Sequence, residues 1–394
     1  MSSRRFRVAL GFGSLAFSLA LVEILARLLL GFSAGATALT PEDLQRRFLQ
    51  PHPSIGTIHR TDVDVLYPFP ERPDGVVRFR TNNLGLRRDS DTAFVPPDGV
   101  RRILVLGDSH VDGVVNNTEN LCALLEAELE SRSGDSWEVL NAAVGGYSPY
   151  QGYLWHLTYG TGLAPELVLW FFYSGNDFAE MVSSGRPTLS GPKFELETPD
   201  PSLAGRLHFW FADHSAVYAF LRARFAAPGR GGRTIHRAFE ECPGCTGQYL
   251  AQVHWFHGQG LDSWKQAGND FRTVTSRFSQ AVENDGGELL LVQLPSPHAV
   301  DPDFDSERLA AALEVVQIDP DWEQLESRIR ETVSRIASEE GVRQFDLLPV
   351  VVQHQARSSE PLYYRSDWHL NPLGHAEAAS AVAEWLLADV IDRD

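Results

Sequence analysis

Four stretches of the sequence pair a residue able to do chemistry with a turn able to display it. They are Gly107-Asp108-Ser109-His110, the run from Asn141 to Gln151 that contains Gly145-Gly146, Tyr173-Ser174-Gly175-Asn176-Asp177, and Asp367-Trp368-His369. A serine hydroxyl becomes a nucleophile when a base stands within hydrogen-bond reach and a carboxylate orients that base. Ser109 supplies the hydroxyl. Asp367 and His369, two residues apart in one loop, supply acid and base: the carboxylate holds one imidazole nitrogen while the other faces the serine. Charge developing on an attacked carbonyl oxygen needs donors. The Ser109 N–H, the N–H of Gly146 and the Asn176 amide make a three-donor oxyanion hole, each donor worth about 10² to 10³ in rate. His110, Tyr147 and Asp177 flank these groups and are expected to line the substrate pocket. Asp108 reads as a local hydrogen-bonding residue and His375 as a surface histidine. No cofactor or metal is expected.

Distant stretches converge only if a fold brings them to one rim. Short apolar runs at Ile103 to Leu106, Val139-Leu140, Leu167 to Phe172, Leu289 to Leu294 and Val342 to Leu347 show little polar alternation, as parallel strands covered on both faces do. Between them lie helical stripes: Leu121, Leu125 and Leu129; Trp264, Phe271, Val274, Phe278 and Val282; Trp322, Leu325, Ile329, Val333 and Ile336. A last helix begins at Pro372 behind the cap-like Asn371 and runs to about Val390. The expected fold is α/β, a three-layer α/β/α doubly wound parallel sheet of flavodoxin-like type. In such sheets ligands sit beyond the carboxyl ends of the strands, where the four stretches fall.

In order and spacing the four blocks resemble the SGNH, or GDSL-like, hydrolase superfamily, over roughly Arg102 to Ala388. The resemblance implies Ser109 as nucleophile, Gly146 and Asn176 as further oxyanion donors, His369 as base and Asp367 as its partner. The third block lacks an intervening residue. The last pair is D-x-H where most members have D-x-x-H, a spacing similar to that of the membrane-linked branch acting on exported polysaccharides. By resemblance the expected activity is a serine esterase removing small acyl groups from envelope glycans or related esters. An O-acyltransferase on exported polysaccharide and an inactive carbohydrate-binding or assembly protein are the alternatives.

The chain has 394 residues, 34 basic and 52 acidic, for a net charge of −18. Nucleic acid is therefore not an expected partner, because binding it requires a positive footprint. Hydrophobic residues make up 43% and charged residues 22%, so a conventional core is expected, and three cysteines are too few for a disulfide-built scaffold. Arg4, Arg5 and Arg7 precede an apolar stretch from Val8 to Phe32 whose only charges are Glu23 and Arg27, placed to pair on one helix face. Residues 1–33 are expected to be a transmembrane signal anchor with the rest exported, to the periplasm or the exterior, or else a cleaved signal peptide. Residues 34–98 read as a tether and a hairpin-like flap, and residues 99–394 as the catalytic domain, with an insertion at about 178–262. Within the insertion Cys242 and Cys245 read as a disulfide, or with His254 and His257 as a zinc site. Cys122 reads as buried core.

Overall fold

The computed structural model describes residues 47–183, 261–316, 322–358, 360–365 and 367–391, with isolated positions among the first 25 residues and between 207 and 218. The central sheet is built by five apolar runs: β5 (Val100–Leu106), β6 (Ser136–Asn141), β7 (Leu167–Tyr173), β8 (Glu288–Leu294) and β9 (Arg343–Asp346). All pair in parallel in the order β6-β5-β7-β8-β9. The first strand of the domain thus lies between the second and third, the flavodoxin-like order, and the crevice opens where that order reverses, at the ends of β5 and β7.

Alternation along the strands divides two cores. Ile103, Val105, Leu169, Phe171 and Val292 face a layer made by α2 (Leu121–Ser133), α7 (Ser306–Val316), α9 (Leu348–Arg357) and α10 (Pro372–Trp385). Leu104, Leu106, Val168, Trp170 and Leu291 face α3 (Pro149–Trp155), α4 (Asp177–Ser183), α5 (Leu261–Asn284) and α8 (Trp322–Glu339). The expected stripes Leu121, Leu125, Leu129 and Trp264, Phe271, Val274, Phe278, Val282 are buried, as are Ile329, Val333 and Ile336, whereas the side chains of Trp322 and Leu325 lie outside the described residues. Two one-turn helices, α1 (Ser109–Asp112) and α6 (Pro297–Val300), follow β5 and β8.

The segment expected to be a tether is in part packed structure. β1 (Leu49–His52) and β2 (Gly56–His59) form one antiparallel hairpin, and β3 (Asp64–Pro68) and β4 (Val76–Arg80) another. The strand expected near Val77 therefore pairs with residues before it. The following Asn82-Asn83-Leu84-Gly85 closes as a turn, its Asn82 Oδ1 accepting from Leu84 N and Leu86 N. Ile55 and Leu86 are buried in the second core, so the flap seals one side of the domain.

Among the described residues no helix is long and apolar enough to cross a membrane. The expected anchor at 1–33 lies outside them except for scattered positions, where Glu23 accepts from Ser215 Oγ at 2.9 Å and Arg27 is not described. Most of the expected insertion, with Cys242, Cys245, His254 and His257, also lies outside them. Cys122 is buried on α2, the second helix after Ser109.

The loop carrying Asp367 and His369 is pinned at its base. Asn371 caps α10 by accepting from Gly374 N at 3.0 Å, and its own N–H donates to Leu362 O. A Cβ on Gly374 would lie 2.2 Å from that same carbonyl oxygen, a backbone atom with no rotamer to yield. Gly374→Ala is expected to cost about 1–3 kcal/mol in denaturant unfolding. An unchanged midpoint would show that the loop base has room the close approach denies.

Candidate functional site

Each block is set by local chemistry at a strand end. β5 ends at Gly107, where a Cβ would meet Val111 Cγ2 at 2.9 Å and Phe171 Cβ at 3.1 Å, so only glycine lets the chain turn so tightly. Asp108 then caps α1, its Oδ1 accepting from His110 N at 2.9 Å, as expected of it. Ser109 is the first helical residue and is half-buried. Because α1 is one turn long, its dipole gives little help to charge at Ser109; the local N–H groups must do that work.

After β6 the chain is stitched to α1. Asn141 Nδ2 donates to Val111 O and to Asn120 Oδ1, and Gly145 N donates to Asp112 Oδ2 at 3.1 Å. Tyr147 N closes a turn on Val144 O at 3.1 Å, with Gly146 at φ 80°, a conformation that favours glycine. A Cβ added to Gly145 would stand 3.6 Å from Ser109 Cβ, which sets this turn beside the serine. Gly146 is exposed, and its N–H takes part in no hydrogen bond among the described residues.

After β7, Asp177 Oδ2 accepts from Tyr173 N at 2.8 Å, and Asn176 Nδ2 donates to Glu180 Oε1 at 3.0 Å. An amide nitrogen carries two hydrogens, so Asn176 keeps one for a ligand. Ser174 Oγ, Ser296 N and Ser296 Oγ all donate to the buried Glu326 of α8, which ties the loops after β7 and β8 together.

The last block carries a strained centre. Trp368 has φ 64° and is buried, an uncommon state for a bulky residue. Around it Asp367 Oδ1 accepts from His369 N at 3.2 Å, and Asp367 Oδ2 lies 3.1 Å from His369 Nδ1. His369 Nε2 has no hydrogen-bond partner among the described residues. The His369 ring stacks on His110 with centroids 4.6 Å apart, and His110 stacks on Tyr173 at 3.5 Å. His110 follows Ser109 in the chain, so this stack is what brings the C-terminal pair against the serine's turn.

Three residues expected to line a substrate pocket are buried. His110 is an inner plate of the stack, and burial, with His369 nearby, holds its imidazole well below the usual range. Tyr147 is buried, its OH donating to Thr57 O of the flap at 2.5 Å. Asp177 is buried beside Asp108 and Glu180. His375 is not on the surface either: it is buried in α10 and its Nδ1 accepts from Leu121 N at 3.1 Å, with its pKa pushed down to about 3 mainly by burial.

Sequence reasoning missed Asp112, Arg87, Glu180 and Glu326. Only Glu180, in Asp177-Phe178-Ala179-Glu180-Met181, carried a signal, a charge among apolar neighbours. Asp108, Asp177 and Glu180 offer oxygens within 4.8 Å of one another, the arrangement among the described residues closest to a cation site. Burial drives all three upward, Asp108 to about 6, and for Asp177 and Glu180 the charge of Asp108 adds to it. Carboxyls so placed share protons, as like charges at close range in low dielectric must.

His369 is different. Burial works to lower its imidazole, but Asp367, followed by Asp108 and Asp112, outweighs it and holds the pKa above the usual value of 6.5.

Residues 264–393 match the family model described as SGNH hydrolase-like domain, acetyltransferase AlgX, a span holding Asp367 and His369 but not Ser109, Gly146 or Asn176. No curated protein matches the chain. Similar solved structures include an acetyl xylan esterase, 14% identical over 73% of this chain and 99% of its own, with a TM-score of 0.39. A lipase/acylhydrolase from Enterococcus faecalis is 12% identical over 73% of this chain and 95% of its own, with a TM-score of 0.33. A catalytic mutant of an acetylxylan esterase from Geobacillus stearothermophilus is 9% identical over 72% and 93%, with a TM-score of 0.38.

Titration of His369 by NMR is expected to give a pKa above 6.5, and Asp367→Asn is expected to lower it, because the largest charge holding the imidazolium is removed. A raised folded value also means that the charged pair stabilises the fold fully below the unfolded pKa and loses that contribution as pH rises through the folded one. A His369 pKa unmoved by Asp367→Asn would deny the coupling.

Proposed function

Residues 264–393 match the SGNH hydrolase-like family model, and from that premise we propose that the chain is a serine esterase of the SGNH/GDSL-like superfamily working through an acyl-enzyme. Ser109 Oγ attacks an ester carbonyl while His369 Nε2 takes its proton. Asp367 holds Nδ1 and stabilises the imidazolium so formed. The oxyanion sits among Ser109 N, Gly146 N and the second Asn176 amide hydrogen. Collapse expels the alcohol, which receives the proton from His369. Water then attacks the acyl-enzyme with His369 again as base, releasing the acid and restoring Ser109.

The observation that carries this reading is the His369 imidazole: its Nδ1 lies 3.1 Å from Asp367 Oδ2, its Nε2 has no hydrogen-bond partner among the described residues, and the ring stacks on the neighbour of Ser109. Small acyl groups on envelope glycans are the proposed substrate. The basic flank and apolar stretch of residues 8–32 support a membrane-anchored protein with its catalytic domain outside the cytoplasm. Acyl transfer to a sugar hydroxyl is the second reading, favoured by the family match over residues 264–393. It uses the same intermediate, with the sugar in place of water.

Hydrolysis of p-nitrophenyl acetate is expected to fall to background in Ser109→Ala and in His369→Ala alike, because the two groups share one step and their losses do not add. Asp367→Asn is expected to cost less than His369→Ala, and the acid limb of kcat/KM in the wild type should lie above pH 6.5, since His369 must be neutral to act. Adding acetyl-accepting oligosaccharide separates the two readings: release of free acetate marks hydrolysis, and an acetylated sugar marks transfer. Turnover by Ser109→Ala at the wild-type rate would remove both.

A further inference from the structure

The Val144–Tyr147 turn has glycines at both central positions, the least constrained sequence a turn can have. An oxyanion donor at Gly146 therefore depends on what anchors the turn beside Ser109, whose Cβ lies 3.6 Å from the place a Gly145 Cβ would take.

The restraint in place is Asp112, the last residue of α1. Its Oδ2 accepts from Gly145 N at 3.1 Å and lies 3.3 Å from His59 Nε2, while its Oδ1 lies 3.3 Å from Arg87 Nη1. Arg87 is wholly buried and donates also to Asp112 O, Gly113 O, Val115 O and Asn117 Oδ1, so its position is fixed by backbone as well as by charge. Burial alone would push the Asp112 carboxyl up, but His59, Arg87 and the Gly145 N–H outweigh it and hold it below the usual carboxylate range. His59 belongs to β2 and Arg87 follows the Asn82 turn, so both partners come from the flap that precedes the catalytic domain.

We propose that Asp112 is a positioning residue for the oxyanion hole: clamped by His59 and Arg87 of the flap, it holds the Gly145 N–H and so anchors the Gly145-Gly146 turn, and with it the Gly146 N–H, beside Ser109. The inference rests on the reading of Gly146 as an oxyanion donor. It makes the flap a working part of the site, because the clamp is complete only when the flap is docked. A carboxylate that merely stabilised α1 would act on folding; one that aims a donor acts on the tetrahedral state and leaves ground-state binding alone.

The test compares Asp112→Ala and Asp112→Asn in the full chain, reading kcat and KM for p-nitrophenyl acetate together with the affinity for a phenylboronic acid, whose tetrahedral adduct occupies the oxyanion hole. For Asp112→Ala the expected result is a loss of about 100-fold in kcat, a matching loss in boronate affinity, and KM within about twofold of wild type. Asn retains an oxygen able to accept from Gly145 N, so Asp112→Asn is expected to lose only about three- to tenfold in both. Should Asp112→Ala yield no folded protein, the paired three- to tenfold losses in Asp112→Asn decide alone. Unchanged kcat in the folded variants, or lost kcat with unchanged boronate affinity, overturns the proposal. Ser109→Ala is the control that separates the two claims. If it retains turnover, the serine reading itself fails; if it is inactive while Asp112→Ala is fully active, only the positioning role fails.

Discussion

The arrangement depends on one constraint: a carboxylate and an imidazole two residues apart must face each other across a buried tryptophan. In an extended strand residues i and i+2 point the same way without converging. Here Trp368 adopts φ 64°, which bends the backbone so that Asp367 receives His369 N on one oxygen and faces His369 Nδ1 with the other. Such a backbone costs on the order of 1–3 kcal/mol and persists only where its surroundings over-determine it. The burial of Trp368 against His298 and the capping of α10 at Asn371 supply that determination. The rest of the site, from the His110 stack to the turn at Gly146, is arranged around the imidazole so placed.

Charge is distributed with the same economy. The site contains buried acids of two kinds. Asp108, Asp177 and Glu180 crowd one another and are pushed, mainly by burial, toward their neutral forms. Asp112 has His59 and Arg87 and stays ionised. Asp367 has His369, and the imidazole gains from it. Asp108 and Asp112, four residues apart, are thus shifted in opposite directions. A base held above 6.5 and a neighbouring group that stores protons suit a site in which a proton leaves a hydroxyl and returns to an alcohol.

The sheet was legible because its evidence is local. Ile103 to Leu106 and Leu167 to Phe172 are apolar on both faces and too short for helices, and the residues following each run named the rim. The pairing of Asp367 with His369 was legible from spacing, as was the turn at Gly145-Gly146. Burial was less legible. His110, Tyr147 and Asp177 sit next to the chemical residues in sequence, yet adjacency does not say which way a side chain points. Tyr147 turns inward because Thr57, ninety residues earlier, offers it an acceptor. How the tether and flap pack was not legible for the same reason: Ile55 and Leu86 are buried in a core whose other members lie far along the chain, which no window of sequence contains. Arg87 and Asp112 were not legible as buried, because each is in part the other's reason for being buried.

The central claim is that a hydroxyl, an imidazole and a carboxylate from distant parts of the chain act as one nucleophilic unit. Covalent trapping with a fluorophosphonate, followed by mass spectrometry of the digested protein, tests it most directly, since such a reagent labels a serine only when a neighbouring base activates it. The account predicts a single adduct on the peptide bearing Ser109, lost when His369 is replaced by alanine. An adduct on another residue, or labelling of Ser109 that persists without His369, would contradict it.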